Sequence, residues 1–140
     1  MAFTVEIPVR FRDLDSLGHV NNAVYFTYME TARTEYYRKM TGRTSLGDFG
    51  FILARAECDF KAPIGLGQTV VVSVWPTRIG ESSFTFRYEL RGKEGETLFA
   101  TGESVQVAYD YRAKKSRRLP PDLRKRLEAE LASGPYLAGA

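Results

Sequence analysis

Apolar and polar residues alternate cleanly over residues 3–11, with Phe3, Val5, Ile7, Val9 and Phe11 on one side and Thr4, Glu6, Pro8 and Arg10 on the other. This period of two predicts a half-buried strand, and Pro8, which lacks an amide donor, places it at or near a sheet edge. Residues 12–20 lose the alternation and read as an irregular polar loop. From Asn21 or Asn22 to about Met40 the period becomes helical: Tyr25, Tyr28, Met29, Ala32, Tyr36 and Met40 recur every three or four residues. Asparagine suits the N-cap, Gly42 suits the C-terminal stop, and Glu35 with Lys39 makes an i,i+4 pair. After a Gly-rich connection over 42–50, four more alternating runs cover roughly 51–61, 69–79, 82–91 and 97–111. Their breaks at Pro63–Gly67, Gly80–Glu81 and Gly92–Gly95 are short enough for hairpins, which predicts antiparallel neighbours. Pro120 and Pro121 then open a short helix marked by Leu123, Leu127 and Leu131.

The order is strand, long helix, four strands, short helix. It predicts an α+β architecture in which one long helix packs on a curved five-stranded antiparallel sheet. Such a sheet has open edges, so an oligomer that covers them is expected. The 140 residues suit a single domain over 1–133, with a disordered tail at 134–140. Cys58 is the only cysteine and His19 the only histidine, which excludes an intramolecular disulfide and any metal site built on several cysteines or two imidazoles. Cys58 alternates with Ala56 and Phe60 and reads as a buried thiol. No apolar run approaches the roughly 20 residues of a membrane span, and the N-terminus lacks a signal-peptide layout, so a cytoplasmic protein with no membrane partner is expected.

The net charge of +3 hides an asymmetry. Residues 112–126 hold eight Lys or Arg against the single Asp122, and the rest of the chain is net −4. The run is a solvated face or a grip for phosphates; it lacks the interleaved aromatics of a nucleic-acid surface, and no nucleic-acid partner is expected. Phosphate-loop and dinucleotide fingerprints are absent, so no nucleotide cofactor is implied.

The chemistry concentrates elsewhere. The only histidine and the only two asparagines, His19, Asn21 and Asn22, fall within four residues, just after Asp13 and Asp15. A purely structural reading makes one asparagine a cap and the aspartates turn formers. A functional reading is equally physical. A helix N-terminus presents free N–H groups to a developing oxyanion, and a nearby carboxylate serves as nucleophile or as general base on water. Asp13 reads as the loop organiser of the pair.

The segment RDLDSLGHVNNAVYFTYMETAR (residues 12–33) resembles the signature of the hot-dog-fold acyl-CoA thioesterases of the 4-hydroxybenzoyl-CoA thioesterase type. DFKAPIGLGQTVVVSV (59–74), the turn Gly80-Glu81-Ser82-Ser83 and VAYDYRAKKSRRLP (107–120) fit the same pattern in order, so the resemblance spans about residues 5–125. It implies a hot-dog fold and hydrolysis of an acyl-CoA to a carboxylate and coenzyme A. No metal or organic cofactor is implied, since coenzyme A belongs to the substrate. The catalytic carboxylate falls on Asp15 and the oxyanion donor on the backbone N–H of Asn22; some members carry tyrosine or histidine where Asn22 stands. His19, present in a subset of the family, holds the loop, orients water or touches the thioester. Asn21, Tyr25, Ser82, Ser83, Lys115 and Arg117 are the candidate substrate contacts, the last two through coenzyme A phosphates. The resemblance also implies a homodimer or homotetramer with sites between subunits. Two other activities fit the same residues: an enoyl-CoA hydratase or dehydratase, and a non-catalytic acyl-CoA binding module.

Overall fold

A computed structural model describes residues 2–42 and 50–132. The elements are β1 (Phe3–Pro8), α1 (Asn22–Thr41), β2 (Phe51–Phe60), β3 (Thr69–Ile79), β4 (Ser83–Gly92), β5 (Leu98–Asp110), β6 (Lys115–Ser116) and α2 (Pro121–Ala132). The five long strands form one antiparallel sheet in the order β1-β3-β4-β5-β2, and the two-residue β6 pairs with the end of β5. This is the hot-dog arrangement, with α1 lying against the sheet. The connection at 43–49 and the tail at 133–140 lie outside the described residues.

Periodicity explains the core. All six residues of the predicted α1 stripe are buried, as are Val70, Val72 and Val74 of β3 and Phe84, Phe86, Tyr88 and Leu90 of β4. Tyr36 stacks on Phe3 at 5.2 Å and lies 5.3 Å from Phe86, tying the helix to both strands. At Gly102 the helix packs directly on the sheet backbone, since a Cβ there would come within 2.5 Å of Met29 Sδ. Pro8 is on an edge strand, as expected, because β1 has β3 as its single long neighbour. Among the described residues no helix is long and apolar enough to cross a membrane.

Four expectations need correction. The break at Pro63–Gly67 is not a hairpin: β2 pairs with β5 at the far edge, and the chain crosses the end of the sheet before entering β3. The crossing is held by its own bonds, with Lys61 N–H and Ala62 N–H both donating to Phe99 O and Ile64 fully buried. Phe11 leaves the β1 core face; it starts a one-turn 3₁₀ segment (Phe11–Asp13) and is 80% exposed. Glu35 pairs with Arg38 at 2.8 Å rather than with Lys39, whose ammonium lies 5.4 Å over the Phe3 ring. Cys58 is half-buried rather than buried, because β2 is an edge strand; burial foremost, and then Asp59, push its thiol up to about 11.

Candidate active site

The loop between β1 and α1 is built by two aspartates with different jobs. Asp13 is 1% exposed. Its carboxylate accepts from Arg10 N–H at 3.0 Å, from Arg10 Nε and Nη2 at 3.2 and 2.9 Å, and from Tyr28 Oη at 2.8 Å. Burial pushes its carboxyl up, but the Arg10 and Tyr28 bonds outweigh that and hold it below the usual carboxylate range. Asp13 O also accepts from Asn21 N–H at 2.8 Å, so this residue pins strand end, loop and helix start together.

Asp15 shapes the next turn. Its N–H donates to His19 O at 2.7 Å, its O accepts from Gly18 N–H, and its Oδ1 accepts from the N–H groups of Leu17 (2.9 Å) and His19 (3.3 Å). Gly18 at φ +82° closes the turn in a conformation other residues adopt at a cost. Leu14 and Val20 bridge antiparallel, and His19 bridges Gly65, which docks this small hairpin on the crossover. The second carboxylate oxygen, Oδ2, has no hydrogen-bond partner among the described residues.

Asn21 is the N-cap of α1, its Oδ1 accepting from Ala23 N–H at 2.9 Å. Val24 N–H bonds back to Asn21 O, while Asn22 N–H, the first of the helix, has no partner among the described residues. It therefore points a free donor, with the positive end of the helix dipole behind it, out of the helix start. Asp15, His19, Asn22 and Tyr25 line one cleft of about 400 Å³, closed on the far side by Phe60 and the Lys61–Pro63 crossover. Tyr25 is buried, meets the Phe60 ring edge-on at 4.8 Å and donates to Ala62 O at 3.3 Å. Burial foremost, then Cys58 and Asp15, raise its phenol, so it stays protonated across the neutral range.

The structure thus brings Asp15, His19, Asn22 and Tyr25 together and gives Asn21 a capping role beside them. It sets Ser82, Ser83, Lys115 and Arg117 apart. Ala100 of β5 pairs with Phe60 at the cleft, whereas Asp110 pairs with Lys115. Ten residues of strand separate these points, about 33 Å. At that distant end Asp110 accepts from Arg112 and Ala113 N–H and anchors the basic turn. Arg117, Arg118, Arg124, Glu81 and Pro121 border a separate cavity of about 590 Å³ there, while Ser82 and Ser83 accept backbone bonds at the adjoining β3–β4 turn. Sequence reasoning missed the crossover wall of the cleft, whose Pro63 and Gly65 were read as a turn, and it missed the buried Arg33, which shares the helical spacing of Met29 and Tyr36. Among the described residues no group of three or more His, Cys, Asp or Glu side chains converges as a metal site.

Residues 9–127 match the Thioesterase-like superfamily. The chain is 28% identical over 136 residues to the 1,4-dihydroxy-2-naphthoyl-CoA hydrolase of Nostoc punctiforme, covering 91% of this chain and 88% of that one. A thioesterase from Thermus thermophilus, solved with coenzyme A and zinc, is 36% identical with a TM-score of 0.83, covering 92% of this chain and 93% of that one. A predicted thioesterase from Bacillus stearothermophilus is 27% identical with a TM-score of 0.86, covering 94% and 97%.

Proposed function

Because this chain belongs to the thioesterase-like superfamily, we propose that it is an acyl-CoA thioesterase whose reaction runs in the Asp15 cleft. The observation that carries the reading is the pairing of an uncommitted carboxylate oxygen on Asp15 with the free N–H of Asn22 in one cleft. The thioester carbonyl oxygen takes the Asn22 N–H and the dipole behind it. The carbonyl carbon then meets either Asp15 Oδ2 directly or a water that Oδ2 deprotonates. As the tetrahedral oxyanion collapses, the thiolate of coenzyme A leaves and takes up a proton, and the acid is released, after hydrolysis of an acyl anhydride if Asp15 attacked. In this reading His19, which is exposed and borders the cleft, orients water. The reaction draws on no cofactor beyond the coenzyme A of the substrate.

The working unit is proposed to be a dimer joined along β2. That strand ends the sheet, has no neighbour on its outer side among the described residues, and exposes Ile52, Leu53 and Phe60. An uncovered apolar edge invites pairing with another copy. A two-fold axis through β2 reverses the ends of the partner sheet, which carries the partner's basic turn from the far end of its own sheet towards the Asp15 cleft. Lys115 and Arg117 then serve the phosphates of coenzyme A across the interface, where Arg–phosphate geometry is favourable.

Thiol release across a panel of aromatic and aliphatic acyl-CoAs tests the reading, with an enoyl-CoA followed for hydration alongside. Free thiol from at least one acyl-CoA, with no hydration, is the expected result. Hydration without thiol release replaces the thioesterase by a hydratase, and saturable binding without either product leaves a binding module.

A further inference from the structure

Asn22, Tyr25, Phe26, Met29, Glu30 and Arg33 recur at helical spacing along a single face of α1. The first two border the Asp15 cleft, and the other four border a second cavity of about 150 Å³. Across from them, Phe60 closes the first cavity and Ala56 the second; both project from the same side of β2. The cavities therefore lie end to end in one groove between α1 and β2.

The far end of this groove is charged. Arg33 has a side chain only 10% exposed. Its Nη1 donates to Tyr88 Oη at 3.2 Å, the Tyr88 hydroxyl is bonded to Ser104 Oγ, and Ser104 is bonded to Gln106, whose Nε2 donates to Phe84 O. Every member of that chain is neutral. The nearest carboxylate, Glu30, is 4.0 Å away and 70% exposed, so water screens it. A guanidinium carries five N–H donors, and among the described residues Tyr88 takes the one hydrogen bond Arg33 makes. The remaining donors are not among the fully buried atoms that lack a partner, and Arg33 borders the second cavity, so an anion entering that cavity can take them where the guanidinium is largely screened from bulk water.

The geometry points to Arg33 as the donor that holds a terminal carboxylate on the acyl chain, which makes the substrate class the mono-CoA thioester of a dicarboxylic acid. This rests on the thioesterase reading above. Apolar Phe26, Met29, Leu53 and Ala56 flank the chain between its two ends. From Asn22 to Arg33 the helix rises about 16 Å, and helical side chains lean back towards the N-terminus, leaving a gap of roughly 10 Å, spanned by a chain on the order of six to ten carbons. Hydrolysis adds one water across the thioester and yields the diacid and coenzyme A.

The probes are suberyl-CoA and octanoyl-CoA, equal in length and differing in the terminal carboxylate, together with the methyl ester of suberyl-CoA. Wild-type kcat/KM is expected to favour suberyl-CoA by roughly tenfold or more, and the methyl ester to lose that advantage. Arg33→Gln should bring the suberyl-to-octanoyl ratio down towards one, mainly through KM, since a distal contact is alike in ground and transition states; Arg33→Lys should restore part of it. The proposal is overturned if wild-type enzyme shows no preference or prefers octanoyl-CoA, or if the ratio survives Arg33→Gln. It is equally overturned if Arg33→Gln changes only the oligomeric state, which would put a carboxylate of a second copy against Arg33. Should Arg33→Gln fail to fold, the wild-type comparison with the methyl ester still decides. Absence of thiol release from every acyl-CoA would instead remove the thioesterase reading itself.

Discussion

Asp13 and Asp15 are two residues apart and chemically identical, yet their surroundings divide them. Asp13 is buried with its oxygens taken by Arg10 and Tyr28, whereas Asp15 keeps Oδ2 uncommitted in a cleft. A carboxyl held below its usual range in the folded chain contributes stability above the unfolded value, near 3.9, and loses it as pH falls through the folded value. Asp13→Asn is therefore expected to destabilise the protein at neutral pH by about 2 kcal/mol, the scale of a charged hydrogen bond left unmade. The gap to wild type should narrow as pH drops below about 4. Urea unfolding of both proteins at pH 7 and pH 3 measures it, and an equal gap at the two pH values would show that the charge on Asp13 does not matter. At this scale the crowding of His19, Asn21 and Asn22 marked the loop that lines the cleft, and Asp13 already read as its organiser; what the sequence did not carry is the partner that completes that role, Tyr28, fifteen residues away.

Elements were legible where their signals are local. The α1 stripe, the Asn21 cap and the Gly42 stop, which adopts φ +70°, are all written within a few residues of where they act. The β3–β4 and β4–β5 hairpins follow from their Gly-containing turns. The place of β2 was not legible, because alternation reports that a strand is half-buried and says nothing of its partner. Its pairing with β5 joins residues some fifty positions apart, and the bulge between Leu53 and Arg55 then moves the inward face from Leu53 to Ala56. The same limit hid Arg33. A charged residue on a helix reads as solvent-facing by type, and only its spacing from Met29 and Tyr36 told that it lies beneath the surface.

At the scale of the molecule, the proposed two-fold pair with sites shared between chains would account both for the open β2 edge and for the separation of the basic turn from Asp15. Mixing two inactive or weakened variants reads this out. Asp15→Asn lacks the proposed catalytic carboxylate, and Lys115→Ala/Arg117→Ala lacks the proposed phosphate grip. In a mixed dimer, one site combines the intact Asp15 of one chain with the intact basic turn of the other. Co-refolded mixtures should therefore regain turnover at the wild-type KM, while each variant alone should not. Mixtures that do no better than the average of their parents would show that each site is complete within one chain.

The substitution Asp15→Asn isolates the chemistry most cleanly. Asparagine retains an Oδ1 to accept from Leu17 and His19 N–H, so the turn that Asp15 builds can persist while the oxygen proposed to attack or to take a proton is lost. Steady-state thiol release from the preferred acyl-CoA, measured on protein whose melting temperature matches wild type, should fall roughly 10²-fold or more in kcat with KM little changed. Turnover within a few-fold of wild type would contradict Asp15 as the catalytic carboxylate.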